Sequence, residues 1–173
     1  YDDYGKLEKV EQTGEVNRTY TYAYHDDAER SLKSVTTEGL SFCPQKDVLG
    51  RYTGRNIVNG STEVAQEEIA YRKVGDHATN QPSGVYFGKK NGSSLAVSES
   101  IKYAYDKMGN ISRIDENGMP VVWYKYDALN RLVREDNKAF GKTWLYSYDR
   151  NGNILSKCET AFTLRTNVEE CTF

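Results

Sequence analysis

A short pattern, Tyr-x-Tyr-Asp, recurs three times in the second half of this 173-residue chain. The copies start at Tyr103, Tyr124 and Tyr146, so the second tyrosines of successive copies lie 21 and 22 residues apart. Each copy continues with two variable residues, Gly or Asn, then Asn or Arg, and then Ile or Leu. Self-similarity at a period of about 20 to 50 residues is typical of folds that stack one small structural unit repeatedly. The repeat therefore constrains the fold more than any other feature of the chain.

Each copy has the pattern of a strand, a tight turn and a second strand. Tyrosines at positions i and i+2 point to one side of a strand, because side chains alternate along it. The aspartate can fix a turn by accepting backbone hydrogen bonds, and the Gly or Asn three residues later can supply a positive φ. The second strand then starts at Ile111, Leu132 or Ile154. The residues assigned to these structural roles are Tyr103, Tyr105, Asp106, Gly109, Tyr124, Tyr126, Asp127, Asn130, Tyr146, Tyr148, Asp149 and Gly152.

Weaker copies of the pattern lie in the first half of the chain. One opens the chain at residues 1–7, a second has its tyrosines at residues 20–24, and a half-copy at residues 47–51 lacks the tyrosine pair. Between the strong copies, Asn117-Gly118 is a strong signal for a two-residue hairpin. The predicted unit is therefore a β-hairpin of about 20 residues, repeated along the chain.

Looser reversals are predicted at residues 91–92 and 135–141. Residues 61–72 fit a short amphipathic helix, or their final part fits a strand in which Ile69 and Tyr71 share one side, and we favour the strand. Residues 75–82 are polar and rich in residues that interrupt regular structure, which predicts a loop, and residues 85–87 then predict another strand.

The composition agrees with this reading. Tyrosine and glycine each occur 14 times, and tyrosine favours strands whereas glycine favours turns. A single hairpin is marginally stable in water, so neighbouring units have to stabilise one another. We therefore predict an all-β fold, a curved antiparallel sheet of about a dozen strands made of tandem hairpins.

Charge and hydropathy exclude two classes of partner. The chain has 23 Lys and Arg against 25 Asp and Glu, so it lacks the positive charge that favours nucleic acid. No stretch approaches the roughly 18 apolar residues that would span a membrane as a helix. We therefore expect no nucleic-acid binding and no membrane insertion by this segment.

Motifs for catalysis or cofactor binding are also missing from the sequence. It has no Gly-x-Ser-x-Gly elbow and no phosphate-binding glycine motif, and neither His25 nor His77 lies in a motif that pairs it with a nucleophile. Residues 149–153 imitate the start of a calcium loop, but Ile154 and Thr160 stand where that loop needs Gly and Glu. We therefore expect no enzymatic activity, no cofactor and no metal site.

The three cysteines do not form a recognisable framework. Cys43, Cys158 and Cys171 give an odd number without metal-ligand spacing. A bridge between Cys158 and Cys171 is sterically conceivable, but we favour unpaired small hydrophobic residues. The tail from Thr160 alternates weakly and predicts a partial strand whose pairing partner lies outside this sequence.

The Tyr-Asp-x-x-Gly/Asn-Asn/Arg-Ile/Leu pattern resembles the YD repeat of the RHS family. That family includes bacterial RHS and wall-associated proteins, shell components of toxin complexes, and teneurins. The resemblance implies that the sheet is a partial turn of a hollow β-shell, whose wall encloses a C-terminal toxin or another polypeptide. It also implies a bacterial protein that is secreted or located at the cell surface.

On this resemblance the chain is a fragment of a larger protein with one continuous sheet. Its expected parts are degenerate repeats at 1–39, irregular repeats at 40–100, regular repeats at 101–158, and a partial strand or tail at 159–173. The expected partners are the remainder of its own polypeptide, an enclosed polypeptide, and a second copy paired edge to edge.

The alternative function is a module that binds carbohydrate or a partner surface through exposed aromatic rows. Three or more coplanar exposed rings in a groove would favour this alternative, whereas rings packed against cross-strand neighbours would favour a scaffold. An enzyme would need a pocket that joins His25 or His77 to a carboxylate and a nucleophile.

Overall fold

The structure is a computed structural model that describes residues 1–91 and 94–164. The described residues form 13 strands and no helix. The strands are β1 (Lys9–Gln12), β2 (Arg18–Tyr24), β3 (Leu32–Thr37), β4 (Leu40–Lys46), β5 (Tyr52–Asn59), β6 (Thr62–Val74), β7 (His77–Asn91), β8 (Ser94–Tyr105), β9 (Ile111–Glu116), β10 (Met119–Tyr126), β11 (Leu132–Asn137), β12 (Lys142–Tyr148) and β13 (Ile154–Ala161).

Each strand pairs with the strand that follows it in the chain, in sequence order from β1 to β13. The pairings are antiparallel, as expected for strands joined by hairpins and short turns. The chain divides into two compact units, Tyr1–Glu99 and Ser100–Phe173, and β8 contributes residues to both. The predicted all-β fold of tandem antiparallel hairpins is confirmed.

A β-bulge follows the turn in five of the repeats. In the clearest case Lys125 pairs with Arg134 and Tyr126 pairs with Leu132, so that Val133 is an extra residue. The same offset recurs six residues after each turn aspartate, and a bulge bends its strand and increases the local twist. The extra residues are Lys33, Thr53, Ser112, Val133 and Leu155.

The two-residue hairpin predicted at Asn117-Gly118 is present. Both residues have a positive φ, 50° for Asn117 and 80° for Gly118, which is the conformation of a type I′ turn. Pro120 is the second residue of β10, next to a shift in the register between β10 and β9. A proline is tolerated there because the ladder is interrupted.

Residues 62–72 lie in β6, which confirms the favoured strand and extends it toward the N-terminus, and the helix alternative is wrong. Strand β6 pairs with β5 on one side and β7 on the other. A helix would leave the backbone groups of both neighbours without ladder partners, and sheet pairing therefore overrides the helical pattern.

The loop predicted at residues 75–82 is wrong beyond Asp76. The reversal is confined to Gly75 and Asp76, and β7 starts at His77, which pairs with Val74. Polar side chains support this exposed hairpin, since the Thr79 hydroxyl donates to the Arg72 carbonyl at 2.8 Å. The 85–87 strand is confirmed as part of β7, whereas Gly92 of the 91–92 reversal lies outside the described residues.

One further sequence prediction is wrong at its boundary. The reversal predicted at 135–141 is shorter, because Glu135–Asn137 belong to β11, and only 138–141 form the connection to β12. Of the tail predicted from Thr160, Thr160 and Ala161 end β13 and pair with Thr143 and Lys142. Residues 165–173 of that tail lie outside the described residues, so its outside partner stays a prediction.

Few side chains of this sheet are buried. Among the described residues, Val122 and Leu145 are the buried apolar side chains, each 7% exposed. Domains usually bury a sheet face against a second layer. Here each side chain instead depends on its neighbours along and across the strands.

The two faces of the second unit differ in chemistry. On β10 and β12, alternate residues place Tyr124, Tyr126, Trp144, Tyr146 and Tyr148 on one side, here called the ladder face. The opposite side, here called the clamp face, carries Trp123, Arg134, Asp136, Thr143 and Leu145, which lie opposite one another in the strand register.

Candidate functional site

Aspartates build the same turn again and again along the chain. In five copies, one carboxylate oxygen accepts the backbone N–H groups two and four residues further on, at 2.8 to 3.0 Å. This satisfies two backbone donors that a tight reversal leaves without ladder partners. These aspartates are Asp2, Asp47, Asp106, Asp127 and Asp149. Asp27 forms a related turn, in which its carboxylate accepts the N–H of Ser31 at 3.1 Å.

The residue three positions after the aspartate has a positive φ in each turn. In the strong copies φ is 89° at Gly109, 60° at Asn130 and 88° at Gly152. The same position of the Asp27 turn is Arg30, with φ of 49°. Glycine and asparagine occupy the left-handed region at lower cost than other residues, which explains their use here.

The side chain four positions after the aspartate closes the turn. The guanidinium groups of Arg51 and Arg131 donate to the second carboxylate oxygens of Asp47 and Asp127, each at 2.7 Å. For Asp127, the backbone N–H of Arg131 and then its side chain hold the carboxyl pKa below its usual value. The pKa of Asp47 is lowered first by the Arg51 side chain. The turn is therefore built around an ionised carboxylate.

A tyrosine of the next repeat bonds to each of four turns. The Tyr126 hydroxyl donates to the Ile111 carbonyl at 2.9 Å, and the Tyr148 hydroxyl donates to the Leu132 carbonyl at 2.7 Å. The acceptor is always the residue five positions after the turn aspartate. The four donors and their acceptors are Tyr24 to Leu7, Tyr71 to Tyr52, Tyr126 to Ile111, and Tyr148 to Leu132.

In three of these four places, a cation from the preceding turn also lies over the same tyrosine ring. The Arg131 guanidinium carbon is 4.7 Å from the Tyr148 ring centroid, and that of Arg51 is 4.3 Å from the Tyr71 centroid. Lys6 is 5.6 Å from the centroid of Tyr24. Such cation–π contacts add about 0.5 to 1 kcal/mol at exposed sites. We call the aspartate turn, the side chain four positions later and the next tyrosine a repeat junction.

Neighbouring turns also contact each other directly. Arg131 donates from Nη1 to the Asp149 carbonyl at 2.9 Å, and the Asn110 amide donates to the Asn130 side chain at 3.0 Å. In the first unit, Arg30 donates to the Asp2 carboxylate at 2.9 Å. The turns therefore form hydrogen-bonded rows within each unit.

The structure places the twelve sequence-predicted residues at these turns and on the strands next to them. The tyrosines of the three dyads are all half-buried. Burial is also the main cause that raises the pKa of Tyr124 and of Tyr126. The two tyrosines of a dyad differ, because Tyr126 and Tyr148 reach a backbone carbonyl and Tyr146 has no hydroxyl partner among the described residues.

Sequence reasoning missed Tyr71 and the cations of the junctions. The half-copy at residues 47–51 already contained Asp47 and Arg51 at the spacing of Asp127 and Arg131. Tyr71 was not recognised because it does not precede an aspartate, as Tyr126 and Tyr148 do. The four-residue spacing from Asp to Arg was the signal that could have found the cations.

A groove of about 330 Å³ brings His25 together with Asp27 and Ser31. This is the combination that an enzyme would need, but the hydrogen bonds follow the turn pattern. The Ser31 hydroxyl donates to the Asp27 carboxylate at 3.0 Å, in the position that Arg131 or Asn153 occupies in other turns. A serine nucleophile would instead donate to the histidine. The geometry therefore favours a structural role, in which Asp27 and Ser31 stabilise the turn.

Further tests concern metals, membranes and cysteines. Within residues 1–91 and 94–164, no group of three or more His, Cys, Asp or Glu side chains is placed to hold a metal ion. No helix long and apolar enough to cross a membrane occurs in the same residues.

The cysteines differ from one another. Cys43 is free, but Cys158 is disulfide-bonded, so the expectation that Cys158 is unpaired is wrong. Cys171 lies outside the described residues.

A family model described as RHS Repeat matches residues 126–157. The matched segment runs from Tyr126 past the Tyr148 dyad into β13, and it therefore contains the whole junction between Asp127 and Tyr148. The resemblance to the RHS family is confirmed for this part of the chain.

Similar solved structures include the crystal structures of TcdB2-TccC3-Cdc42, at 20% identity, and of TcdB2-TccC3, at 19%. A third is the Photorhabdus luminescens Tc holotoxin pore with a mutation in TccC3, at 19% identity. Each has a TM-score of 0.47 and covers 83% of this chain and 9% of the solved chain. The chain thus spans 9% of the length of the solved chains that it matches. No curated protein matches it.

Proposed function

We propose that this chain is a non-enzymatic wall segment of a large secreted or cell-surface bacterial protein with RHS repeats. In this role the sheet is part of a β-shell that encloses another polypeptide. The segment acts mechanically, because each repeat is fastened to the next along the sheet. The proposal keeps the organisation expected from the sequence, with degenerate repeats at 1–39, irregular repeats at 40–100 and regular repeats at 101–158.

The observation that carries the proposal is the repeat junction. The Asp127 carboxylate fixes its turn and holds the Arg131 guanidinium over the ring of Tyr148. The hydroxyl of the same tyrosine donates to the Leu132 carbonyl. Neighbouring hairpins are joined by side chains as well as by the backbone ladder. Cohesion between neighbours is what a repeat sheet needs, since its stability is the sum of unit and neighbour terms.

Two other features support a wall. The described residues bury few apolar side chains, so the sheet lacks the second layer that an independent sandwich would have. Bulges recur at one offset in five repeats, and each bulge bends its strand. Repeated bending in the same place is a physical means of curving a sheet into a shell.

The carbohydrate-binding alternative has a weaker basis. Phe140 is 70% exposed and borders a shallow cavity of about 270 Å³ with Trp144, Lys142 and Glu159. The Phe140 and Trp144 rings are 6.2 Å apart and inclined at 74°, so this pair does not form a flat platform. The Glu159 carboxylate is also engaged, since it accepts from the Trp144 indole at 3.1 Å and pairs with Lys142. A glycan array on the full chain tests this alternative.

The wall function is tested on the polypeptide that contains this segment. The surrounding coding sequence is first read for further Tyr-Asp copies with the same junction spacing. The unaltered polypeptide and a double variant, Tyr126→Phe with Tyr148→Phe, are then treated with protease under native conditions. We expect additional copies, and a protected internal segment that becomes cleavable when the junctions are weakened. Absence of further copies, or equal cleavage of both proteins, would refute the proposal.

A further inference from the structure

The clamp face contains an ion pair that is more deeply buried than any apolar side chain described. Arg134, Asp136 and Thr143 are each 1% exposed. They lie on β11 and β12, on the side opposite to the ladder face, and are therefore separate from the repeat junctions. A buried charge is costly unless it is paired and hydrogen-bonded, so the function of this cluster requires an explanation.

The three side chains form one network. Arg134 donates to the Asp136 carboxylate from Nε at 2.9 Å and from Nη2 at 2.8 Å. The Thr143 hydroxyl donates to the same carboxylate at 2.7 Å. Because Asp136 takes the hydroxyl proton, the lone pairs of the Thr143 oxygen are available to accept a further bond. The carboxylate thus orients both the guanidinium and the hydroxyl.

The segment that follows β13 lies on this network. Both backbone groups of Thr163 are bound: its N–H donates to the Thr143 hydroxyl oxygen at 3.1 Å, and its carbonyl accepts from Nη2 of Arg134. The preceding Phe162 donates its N–H to the Gly141 carbonyl at 2.9 Å, and its ring centroid is 6.1 Å from that of Trp123.

We propose that Arg134, Asp136 and Thr143 form a main-chain clamp that fastens the polypeptide leaving β13 to the clamp face. The occupant is residues 162–164 of this chain, which are recognised by the backbone at Thr163 and by the aromatic ring of Phe162. This does not rest on the wall function, because no junction residue takes part.

The chemistry of the clamp fits a backbone peptide group. The Arg134 guanidinium donates to the Thr163 carbonyl, and the Thr143 hydroxyl oxygen accepts the Thr163 N–H. The side chain of Thr163 takes no part in the contacts described, so this position should tolerate other residues.

Amide hydrogen exchange on the full chain tests the clamp. In the unaltered protein we expect the Thr163 amide to be protected, and Thr143→Val to speed its exchange by about tenfold or more by removing the acceptor. Thr143→Ser keeps a hydroxyl and should retain the protection. The amide of Cys158, which lies opposite Leu145 at a hydrogen-bonded position of the β12–β13 ladder, reports whether the sheet remains folded in each variant.

A second pair of variants avoids any change within the sheet. Phe162→Ala should also speed exchange at Thr163, because the ring contact with Trp123 is lost, whereas Thr163→Ala should leave the clamp closed. An unprotected Thr163 amide in the unaltered chain, or equal protection in Thr143→Val and Thr143→Ser, would overturn the clamp. Neither result bears on the wall function, which is tested by protease protection through Tyr126 and Tyr148.

Discussion

The hydroxyl of Tyr148 provides the sharpest test of the repeat junction. It donates to the Leu132 carbonyl at 2.7 Å, while Arg131 lies over its ring. Tyr148→Phe removes this hydrogen bond and keeps the ring on which the guanidinium stacks. The change therefore isolates one bond between two repeats.

The expected loss follows from the geometry. A net hydrogen bond contributes about 0.5 to 1.5 kcal/mol, and a carbonyl left without its partner costs more where water cannot reach it. Tyr148 is half-buried, so water compensates in part. We expect the free energy of unfolding to fall by about 1 kcal/mol. The matched control is Tyr146→Phe, two residues earlier on the same strand, whose effect should stay within about 0.5 kcal/mol of zero.

Urea denaturation monitored by tryptophan fluorescence measures both variants. The two tryptophans of the chain, Trp123 and Trp144, lie in the unit that contains Tyr148. With a denaturant slope of about 1 to 3 kcal/mol/M, Tyr148→Phe should lower the midpoint by about 0.3 to 1 M. Equal midpoints for Tyr148→Phe and Tyr146→Phe would show that the hydroxyl does not join the repeats, and the junction argument would fail.

Three further predictions concern the turns and one strand. Gly152→Ala should lower the free energy of unfolding by about 1 to 2 kcal/mol, because φ is 88° although a Cβ would meet no neighbouring atom. Gly152→Asn should lower it less, because Asn130 occupies the same turn position with φ of 60°. Thermal melting compares the two variants. Gly54→Ala should prevent normal β5–β6 pairing, because the new Cβ would lie 2.0 Å from the Glu67 carbonyl oxygen. Gly14→Ala is the control, because a Cβ at Gly14 meets no atom within 4 Å. Identical circular dichroism spectra of the two variants would contradict this prediction. The six turn aspartates have a lowered carboxyl pKa, so the unfolded state binds more protons than the folded state. The stability that they contribute is therefore complete above about pH 4 and is lost as the pH falls further. The same urea midpoint at about pH 5 and pH 2.5 would argue against ionised aspartates in these turns.

The turns could be read from the sequence because their chemistry is local. Asp127 accepts hydrogen bonds from residues two and four positions later, and Asn130 needs only its own backbone freedom. The alternation of Tyr124 and Tyr126 likewise follows from strand geometry over three residues. Such features depend on neighbours in the chain, so one sequence window contains all the information.

The errors arose where the partner is remote. Residues 77–82 have the composition of a loop, yet His77, Ala78 and Pro82 pair with β6, and a polar strand is stable when a neighbour satisfies its backbone. Tyr71 lacks the aspartate that marks the other dyads, and its bond to the Tyr52 carbonyl appears only when β5 and β6 are placed side by side.

The amino-acid sequence by itself determined that this protein is a series of hairpins reversed at aspartate turns, since those choices are made within about ten residues. Tertiary structure decided which carbonyl each tyrosine reaches, and it brought Arg134, Asp136 and Thr143 together beneath Thr163. Twenty residues separate Thr143 from Thr163 in the chain. The pairing of β11, β12 and β13 brings these residues into contact and shields Arg134 and Asp136 from water. The clamp could therefore be seen only in the folded sheet.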